Sequence, residues 1–284
     1  MTFITRFAPS PTGPLHLGHA FSALTAYDMA QTAGGLFHLR IDDLDQSRSR
    51  PEWEAQIYDD LHWLGLDWPT PALRQSDRLP RYRDALNSLW DQGLLYPCSC
   101  SRADIRAAAS APQEGAPLHG PDGLIYPGTC RPQSPPTGPM PDSPLRLDTA
   151  RALARLQAPL SFTETGQGPD GETGTITPQD MVQTVGDVAL ARPGMGASYH
   201  LSVVCDDADQ VITHVIRGQD LFTATQIHVL LQRLLGLPTP IYHHHRLIRD
   251  HEGRRLAKRD DARAIATYRT MGKTPDDIRQ MLGL

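Results

Sequence analysis

Residues 6–19 read RFAPSPTGPLHLGH, a proline-rich turn that ends in two histidines three positions apart. Residues 3–8 form a short β-prone run, and apolar residues from Leu17 onward recur at helical spacing, which predicts a strand, a turn and a helix. The start of a helix offers free N–H groups and a partial positive charge to a phosphate. His16 and His19 share one helical face. The stretch therefore indicates nucleotide chemistry.

The alternative without a function is that the HxGH string arises by chance. An isolated histidine is more often a surface residue than a catalyst. The run PSPTGP directly before it, residues 9–14, makes coincidence a poor explanation.

The rest of the chain predicts an α/β fold with a parallel sheet. Gly34 and Gly35 stop the first helix, and the β-prone residues 36–41 complete a βαβ unit, whose ligands bind beyond the carboxyl ends of the strands. Further predicted elements are helices within 51–95, strands at 201–205 and 211–216, a helix at 221–235, a strand at 241–248 and a short helical end capped at Thr274.

Composition limits the class of protein. The 284 residues contain four cysteines, carry a formal charge of −5 and have no apolar run near eighteen residues. We expect no membrane span, no signal peptide, reduced thiols and a cytoplasmic protein of one large or two modest domains. The arginines and lysine between residues 246 and 269 are interspersed with acids, which by itself indicates a solvated face.

Residues 97–144 are rich in proline and glycine and predict an insertion with little regular structure. Cys98, Cys100 and Cys130 lie in it, and three thiolates in so apolar-poor a segment favour a structural zinc over free thiols. On chemistry alone His119 is the obvious fourth ligand. Cys205 follows two valines and is expected in the core.

Three separated segments, residues 6–19, 40–45 (RIDDLD) and 215–221 (VIRGQDL), resemble the glutamyl branch of class I aminoacyl-tRNA synthetases. The resemblance implies a Rossmann-type catalytic domain in two halves, 1–95 and 191–250. Between them lies a zinc-containing insertion, 96–190, that contacts the acceptor, and 251–284 hold the signature loop and a short helical end. Only 26 residues follow Lys258, too few for an anticodon-binding domain, so a truncated subfamily is the better match.

That resemblance implies ATP-dependent activation of L-glutamate to glutamyl-adenylate, followed by transfer to a nucleic-acid hydroxyl. In the truncated subfamily the hydroxyl belongs to queuosine in the anticodon stem-loop of tRNA(Asp), so the reaction is a tRNA modification. The expected partners are glutamate, ATP with Mg²⁺ and this RNA, and the expected state is a monomer.

The resemblance also implies residue roles. His16, Gly18, His19 and Lys258 bind ATP, and both histidines and Lys258 act in catalysis as donors to developing phosphate charge. Lys258 matches the second lysine of the "KMSKS" loop. In that loop Arg255 and Ala257 replace the usual lysine and serine, which predicts slower activation.

For glutamate, the resemblance implies that Arg6 and Arg217 grip the side-chain carboxylate by bidentate pairing. A surface ion pair is the alternative for each arginine. Asp42 matches a carboxylate that meets the substrate ammonium, although many relatives have the longer glutamate there. Tyr199, Ala8 and Ser10 complete the predicted substrate-binding residues.

For the metal, the family pattern Cys-x-Cys followed by Tyr-x3-Cys points to Tyr126 instead of His119 as the fourth ligand beside the three cysteines.

Three other functions remain open. One is an adenylyl-transferring enzyme acting on a small acid without RNA, although such proteins lack the segments at 40–45 and 217–221. Another is a non-catalytic RNA-binding paralogue, which retention of both histidines and Lys258 argues against. The third is an ordinary glutamyl-tRNA synthetase that charges a tRNA 3′ end and has its anticodon domain missing.

Overall fold

The computed structural model describes residues 2–109, 119–249 and 263–284. Within them the helices are α1 Leu17–Thr32, α2 Pro51–Trp63, α3 Leu79–Asp91, α4 Arg102–Ala109, α5 Thr149–Ala154, α6 Met181–Thr184, α7 Tyr199–Asp209, α8 Thr225–Leu235, α9 Ile265–Thr270 and α10 Pro275–Leu282. The strands are β1 Ile4–Phe7, β2 Leu36–Ile41, β3 Leu73–Arg74, β4 Leu95–Pro97, β5 His119–Gly120, β6 Gly123–Leu124, β7 Leu145–Leu147, β8 Phe162–Glu164, β9 Gly174–Ile176, β10 Ala189–Ala191, β11 His214–Gly218 and β12 Ile241–His245.

The predicted βαβ unit is present at the amino-terminal end. β1 and β2 pair in parallel with Ile4 opposite Leu36, and α1 crosses between them. The chain leaves α1 at Gly34, whose φ of +61° lies in the left-handed region that glycine adopts at little cost. Both strands therefore end at the same edge of the sheet.

A second parallel pair lies beside the first. β11 and β12 pair with His214 opposite Ile241, and the backbone N–H of Thr213 donates to the carbonyl of Ile4, which holds the start of β11 next to β1. The parallel sheet of the predicted α/β class is confirmed. Because parallel strands end at one edge, the carboxyl ends of β1, β2, β11 and β12 meet, and a ligand site is expected there.

The strand predicted at residues 201–205 is wrong, because this segment lies inside helix α7. Ser198 caps the helix by accepting a hydrogen bond from the backbone N–H of Leu201. Every residue from His200 to Asp207 is buried, so the apolar run is that of a helix covered on all sides. A short continuous apolar run does not distinguish such a helix from a buried strand.

The segment at 97–144 has more regular structure than predicted. It contains α4 and the two-stranded hairpin β5–β6, and it is flanked by an antiparallel sheet of order β10, β7, β4. β8 and β9, which fall within the predicted insertion 96–190, add to β12 instead. The predicted domain limits themselves stay predictions.

Two apolar clusters form the core. The first packs α1 and α2 around β1 and β2, and the second joins α3, α7 and α8 with β7, β11 and β12. Cys205 is fully buried in the second cluster, as predicted. The predicted cap at Thr274 is also confirmed, since Thr274 and Asp277 form a capping box at the start of α10. No helix of the described residues is long and apolar enough to cross a lipid bilayer.

Candidate active site

A cavity of about 330 Å³ opens at the carboxyl ends of the parallel strands. It brings together the predicted site residues of the described chain, which are Arg6, Ala8, Ser10, His16, Gly18, His19, Asp42, Tyr199 and Arg217. Lys258, with Arg255 and Ala257, lies outside the described residues. The shared cavity is a finding, and the role of each residue in it stays a prediction.

The two histidines form a capping box at the start of α1. The Nδ1 atom of His16 accepts from the backbone N–H of Gly18 at 3.1 Å, and the Nδ1 atom of His19 accepts from the backbone N–H of His16 at 3.2 Å. A neutral imidazole that accepts at Nδ1 carries its proton at Nε2. A Cβ atom at Gly18 would lie 3.0 Å from the His16 ring, so glycine leaves room for this arrangement.

A buried network of charged groups lies on the β1 and β2 side of the cavity. Arg6 makes a two-point contact with Asp207, with Nε to Oδ1 at 2.8 Å and Nη2 to Oδ2 at 3.2 Å. Arg40 joins Asp207 to Asp42, with Nη1 and Nε distances of 2.6 and 2.8 Å. The bidentate face of Arg6, which was predicted to hold substrate, is therefore occupied by Asp207.

Burial acts on the two carboxylates with different outcomes. It opposes the ionisation of Asp207, but Arg6 and Arg40 outweigh it and hold the pKa of Asp207 below its usual value. It raises the pKa of Asp42 to about 6, because Arg40 offsets only part of the desolvation.

Arg217 lies in a different environment at the end of β11. Its Nε donates to Nε2 of His244 and its Nη1 to Nδ1 of His228, both at 3.1 Å, and its Nη2 donates to Thr225 and to the carbonyl of Leu221 at 2.8 and 3.2 Å. Burial, together with the charge of Arg217, lowers the pKa of His228 well below its usual value, so that ring is neutral. Arg217 is thus oriented by uncharged acceptors, and among the described residues no carboxylate contacts its guanidinium directly.

The three insertion cysteines come together as predicted. Their sulfur atoms lie within 4.8 Å of one another, and the Tyr126 Oη atom is 3.4 Å from the Cys98 sulfur and 3.5 Å from the Cys100 sulfur. His119 is exposed on β5 and is not part of this group. The donor set of three thiols and one phenol has the number of ligands that a tetrahedral zinc takes, and the three thiols are of the type that zinc prefers.

Arg146 and Tyr126 support negative charge in this cluster. The Arg146 Nε atom is 3.2 Å from the Cys98 sulfur, and its guanidinium lies 3.9 Å from the centre of the Tyr126 ring. The hydrogen bond from Tyr126 lowers the pKa of the Cys130 thiol to about 7, while burial raises the pKa of Tyr126. A nearby cation and a lowered thiol pKa both favour the thiolate form, which is the form that binds a metal.

Four residues that sequence reasoning left without a role complete the site: Arg40, Asp207, His228 and His244. Arg40 opens the segment 40–45, so a signal for it was present. Asp207 and His228 had none, because nothing in the local sequence shows that they approach Arg6 and Arg217 across 201 and 11 positions.

Comparison with known proteins agrees with this geometry. The profile of the family described as tRNA synthetases class I (E and Q), catalytic domain, matches residues 2–120 and 155–284. A protein of Rhodobacter capsulatus named glutamyl-Q tRNA(Asp) synthetase is 61% identical over 283 residues, which cover 99% of this chain and 100% of that protein. The chain belongs to the glutamyl-Q tRNA(Asp) synthetases.

The chain is also similar to a second protein of that name and to the solved structure of a glutamate tRNA ligase. The glutamyl-Q tRNA(Asp) synthetase of Symbiobacterium thermophilum is 41% identical, over 96% of this chain and 83% of that protein. A crystal structure of a glutamate tRNA ligase from Elizabethkingia meningosepticum, in complex with its amino acid, has a TM-score of 0.76 at 27% identity. The alignment covers 100% of this chain and 61% of the ligase, so the chain spans about three fifths of that longer protein.

Proposed function

We propose that this protein activates L-glutamate with ATP to glutamyl-adenylate and then transfers the glutamyl group to queuosine in the anticodon of tRNA(Asp). The observation that carries the first step is the cavity lined both by the buried Arg217, whose acceptors in the described chain are uncharged, and by the histidine pair His16 and His19. The acceptor is supported by the family, whose members are named for that modification.

Charge explains the choice of glutamate. Arg217 is 5% exposed, and its acceptors in the described chain are uncharged, so an anionic side chain that enters the cavity would supply the missing counter-charge. Glutamine would leave the guanidinium buried without a counter-ion, which is unfavourable. Arg6 is already paired with Asp207, so Arg217 is the stronger candidate to attract the side-chain carboxylate by its charge. Neither arginine keeps a free bidentate face on its Nε side: Arg217 has one of its five N–H groups left to donate, and Arg6 has three.

Asp42 and Tyr199 fit the rest of the amino acid. Both line the cavity, and the Asp42 carboxylate, directly after the carboxyl end of β2, accepts a hydrogen bond from Arg40. An ionised Asp42 attracts the substrate ammonium. Because its side chain is short, the contact can run through a bridging water molecule.

The chemistry of activation needs alignment more than covalent help. A carboxylate oxygen of glutamate attacks the α-phosphorus of ATP, the bond to the bridging oxygen of the β-phosphate breaks, and pyrophosphate leaves with that electron pair. His16 and His19 present Nε2–H donors beside the first turn of α1, where they stabilise charge on the phosphates. Lys258 is expected to act on the departing pyrophosphate.

Zinc is proposed for the insertion, with Cys98, Cys100, Cys130 and Tyr126 as its ligands. The ion would crosslink β4, the segment after it and the loop that carries Tyr126, which gives this part of the chain its order. It takes no part in the reaction.

The decisive experiment offers the protein ATP, labelled glutamate and an isolated anticodon stem-loop of tRNA(Asp) that carries queuosine. We expect label on this fragment and none on the same stem-loop with guanosine at the modified position. Label found only on the 3′ end of intact tRNA would show an ordinary glutamyl-tRNA synthetase. Glutamate-dependent pyrophosphate exchange with no label transferred to any RNA would favour a small-acid enzyme, and the absence of exchange would favour a regulator.

A further inference from the structure

Two hydrogen-bonded chains leave the guanidinium of Arg217 and end on carboxylates. The shorter chain runs through His244, whose Nδ1 atom is 2.5 Å from Oε2 of Glu164. The longer runs through His228 and then His200, with 3.1 Å between Nε2 of His228 and Nδ1 of His200. It ends at Asp122, whose Oδ1 atom is 3.3 Å from Nε2 of His200.

The proton positions along the longer chain follow from its first link. Arg217 has only donors, so Nδ1 of His228 must accept and the proton of the neutral ring lies on Nε2. Nε2 of His228 then donates to Nδ1 of His200, which places the proton of His200 on its Nε2. That proton points at a carboxylate, Asp122, which can only accept, so both ends of the chain favour the same tautomer in both rings.

The chain connects two distant parts of the protein. Arg217 lines the glutamate cavity, whereas Asp122 lies in the turn between β5 and β6 of the insertion and is anchored there by Arg192 at 3.1 and 3.2 Å. His200 and His228 are 5% and 2% exposed, so the links are sheltered from water. Both rings also pack against Tyr199, at 5.5 and 5.6 Å between ring centres, and Tyr199 lines the same cavity.

We propose that Asp122 is a positioning residue for glutamate recognition, acting on Arg217 through His200 and His228. This inference rests on the proposed function, because it assumes that Arg217 binds the side-chain carboxylate of glutamate. Without the Asp122 carboxylate only Arg217 still favours this tautomer, so the two rings are held in it less firmly; in the other tautomer His228 turns an N–H toward the N–H of Arg217. The guanidinium then loses an acceptor and its fixed orientation.

The hairpin of the insertion thereby becomes part of the amino-acid site. A displacement of the β5–β6 turn alters glutamate affinity without any contact between the turn and glutamate. His200 and His228 transmit the effect, and neither needs to change its charge.

The test compares Asp122→Ala with Asp122→Glu, which restores a carboxylate, and with Asp142→Ala as the matched control. Asp142 is a fully exposed aspartate of the same part of the chain, 20 positions away. Glutamate-dependent pyrophosphate exchange is measured over a range of glutamate and of ATP concentrations. We expect Asp122→Ala to raise KM for glutamate about tenfold while kcat and KM for ATP change less than about twofold. Asp122→Glu should recover part of the affinity, and Asp142→Ala should match wild type.

A second measurement is independent of activity. Imidazole ¹⁵N chemical shifts distinguish the two neutral tautomers, and we expect His200 and His228 of wild type to be protonated at Nε2 and to become mixed in Asp122→Ala. Rings protonated at Nδ1 in wild type would overturn the proposal.

Kinetic outcomes separate this proposal from the function on which it rests. A wild-type protein with no glutamate-dependent exchange would overturn both. Wild-type exchange with an unchanged glutamate KM in Asp122→Ala would overturn the positioning role alone. If Asp122→Ala lowers kcat, raises KM for both glutamate and ATP and lowers the melting temperature, the role of Asp122 is merely structural. That result would also overturn the positioning role.

Discussion

Glutamate binding should weaken at acidic pH because of one carboxylate, Asp42. Burial raises the pKa of Asp42 to about 6, although Arg40 donates to it at 2.8 Å. The charge that we propose attracts the substrate ammonium is present above this pKa and is lost as the pH falls through it. For a pKa of about 6, the ionised fraction drops from about nine tenths at pH 7 to about one tenth at pH 5, so KM for glutamate should rise about ninefold.

The assay is glutamate-dependent pyrophosphate exchange between pH 5 and 8, with KM for glutamate determined at each pH. Asp42→Asn cannot ionise, so we expect its KM to be high at pH 7 and to change little with pH. The substrate side chain titrates near pH 4.3, outside the range of interest. A flat wild-type profile, or the same pH dependence in Asp42→Asn, would refute the reasoning.

Three further predictions concern other parts of the molecule. Asp60 is buried, neither of its carboxylate oxygens has a hydrogen-bond partner among the described residues, and burial raises its pKa to about 6 from 3.8. Its ionised form therefore destabilises the fold increasingly as the pH rises from about 4 to above 6. Asp60→Asn should add about 2 kcal/mol to the free energy of unfolding at pH 8 and little at pH 4, measured by urea denaturation. Equal effects at both pH values would contradict this prediction. Cys98→Ser should release zinc, which a chromogenic chelator detects. The same variant should impair glutamyl transfer to the stem-loop more than pyrophosphate exchange. Equal losses of the two activities would argue against a role of the insertion in acceptor binding. Arg217→Lys keeps the charge, but a lysine cannot contact His228, His244 and Thr225 together. In the exchange assay kcat/KM for glutamate should therefore fall on the order of a hundredfold. A loss below threefold would argue against Arg217 as the residue that selects glutamate.

Local features of the chain were predictable where neighbouring residues determine them. The strand, turn and helix around residues 6–19 and the capped helix α10 depend on turn residues, side-chain caps and apolar spacing, all of which are legible within one short segment. The cysteine cluster was also predictable, since Cys98 and Cys100 are almost adjacent and Cys130 lies in the same irregular segment.

Helix α7 was not predictable in the same way. Its residues 201–205 read as a strand, and the difference between strand and helix came from burial on every side, which depends on α3 and α8 packing against it. The run of charges that follows, Asp206 and Asp207, gave no sign of its role. Both aspartates turn inward to arginines, Asp207 to the fully buried Arg40 and Asp206 to the half-buried Arg78.

The amino-acid sequence by itself determined that a histidine pair lies on one face at the start of the first helix of a parallel α/β fold and that three thiols lie close together. Those features arise from hydrogen bonds and spacing within a few residues. Only the tertiary structure decided that Arg6 is neutralised by Asp207 whereas Arg217 is held by uncharged histidines. The physical reason is that a buried charge is governed by the groups that converge on it through space, and strand order and helix packing bring those groups together from distant positions.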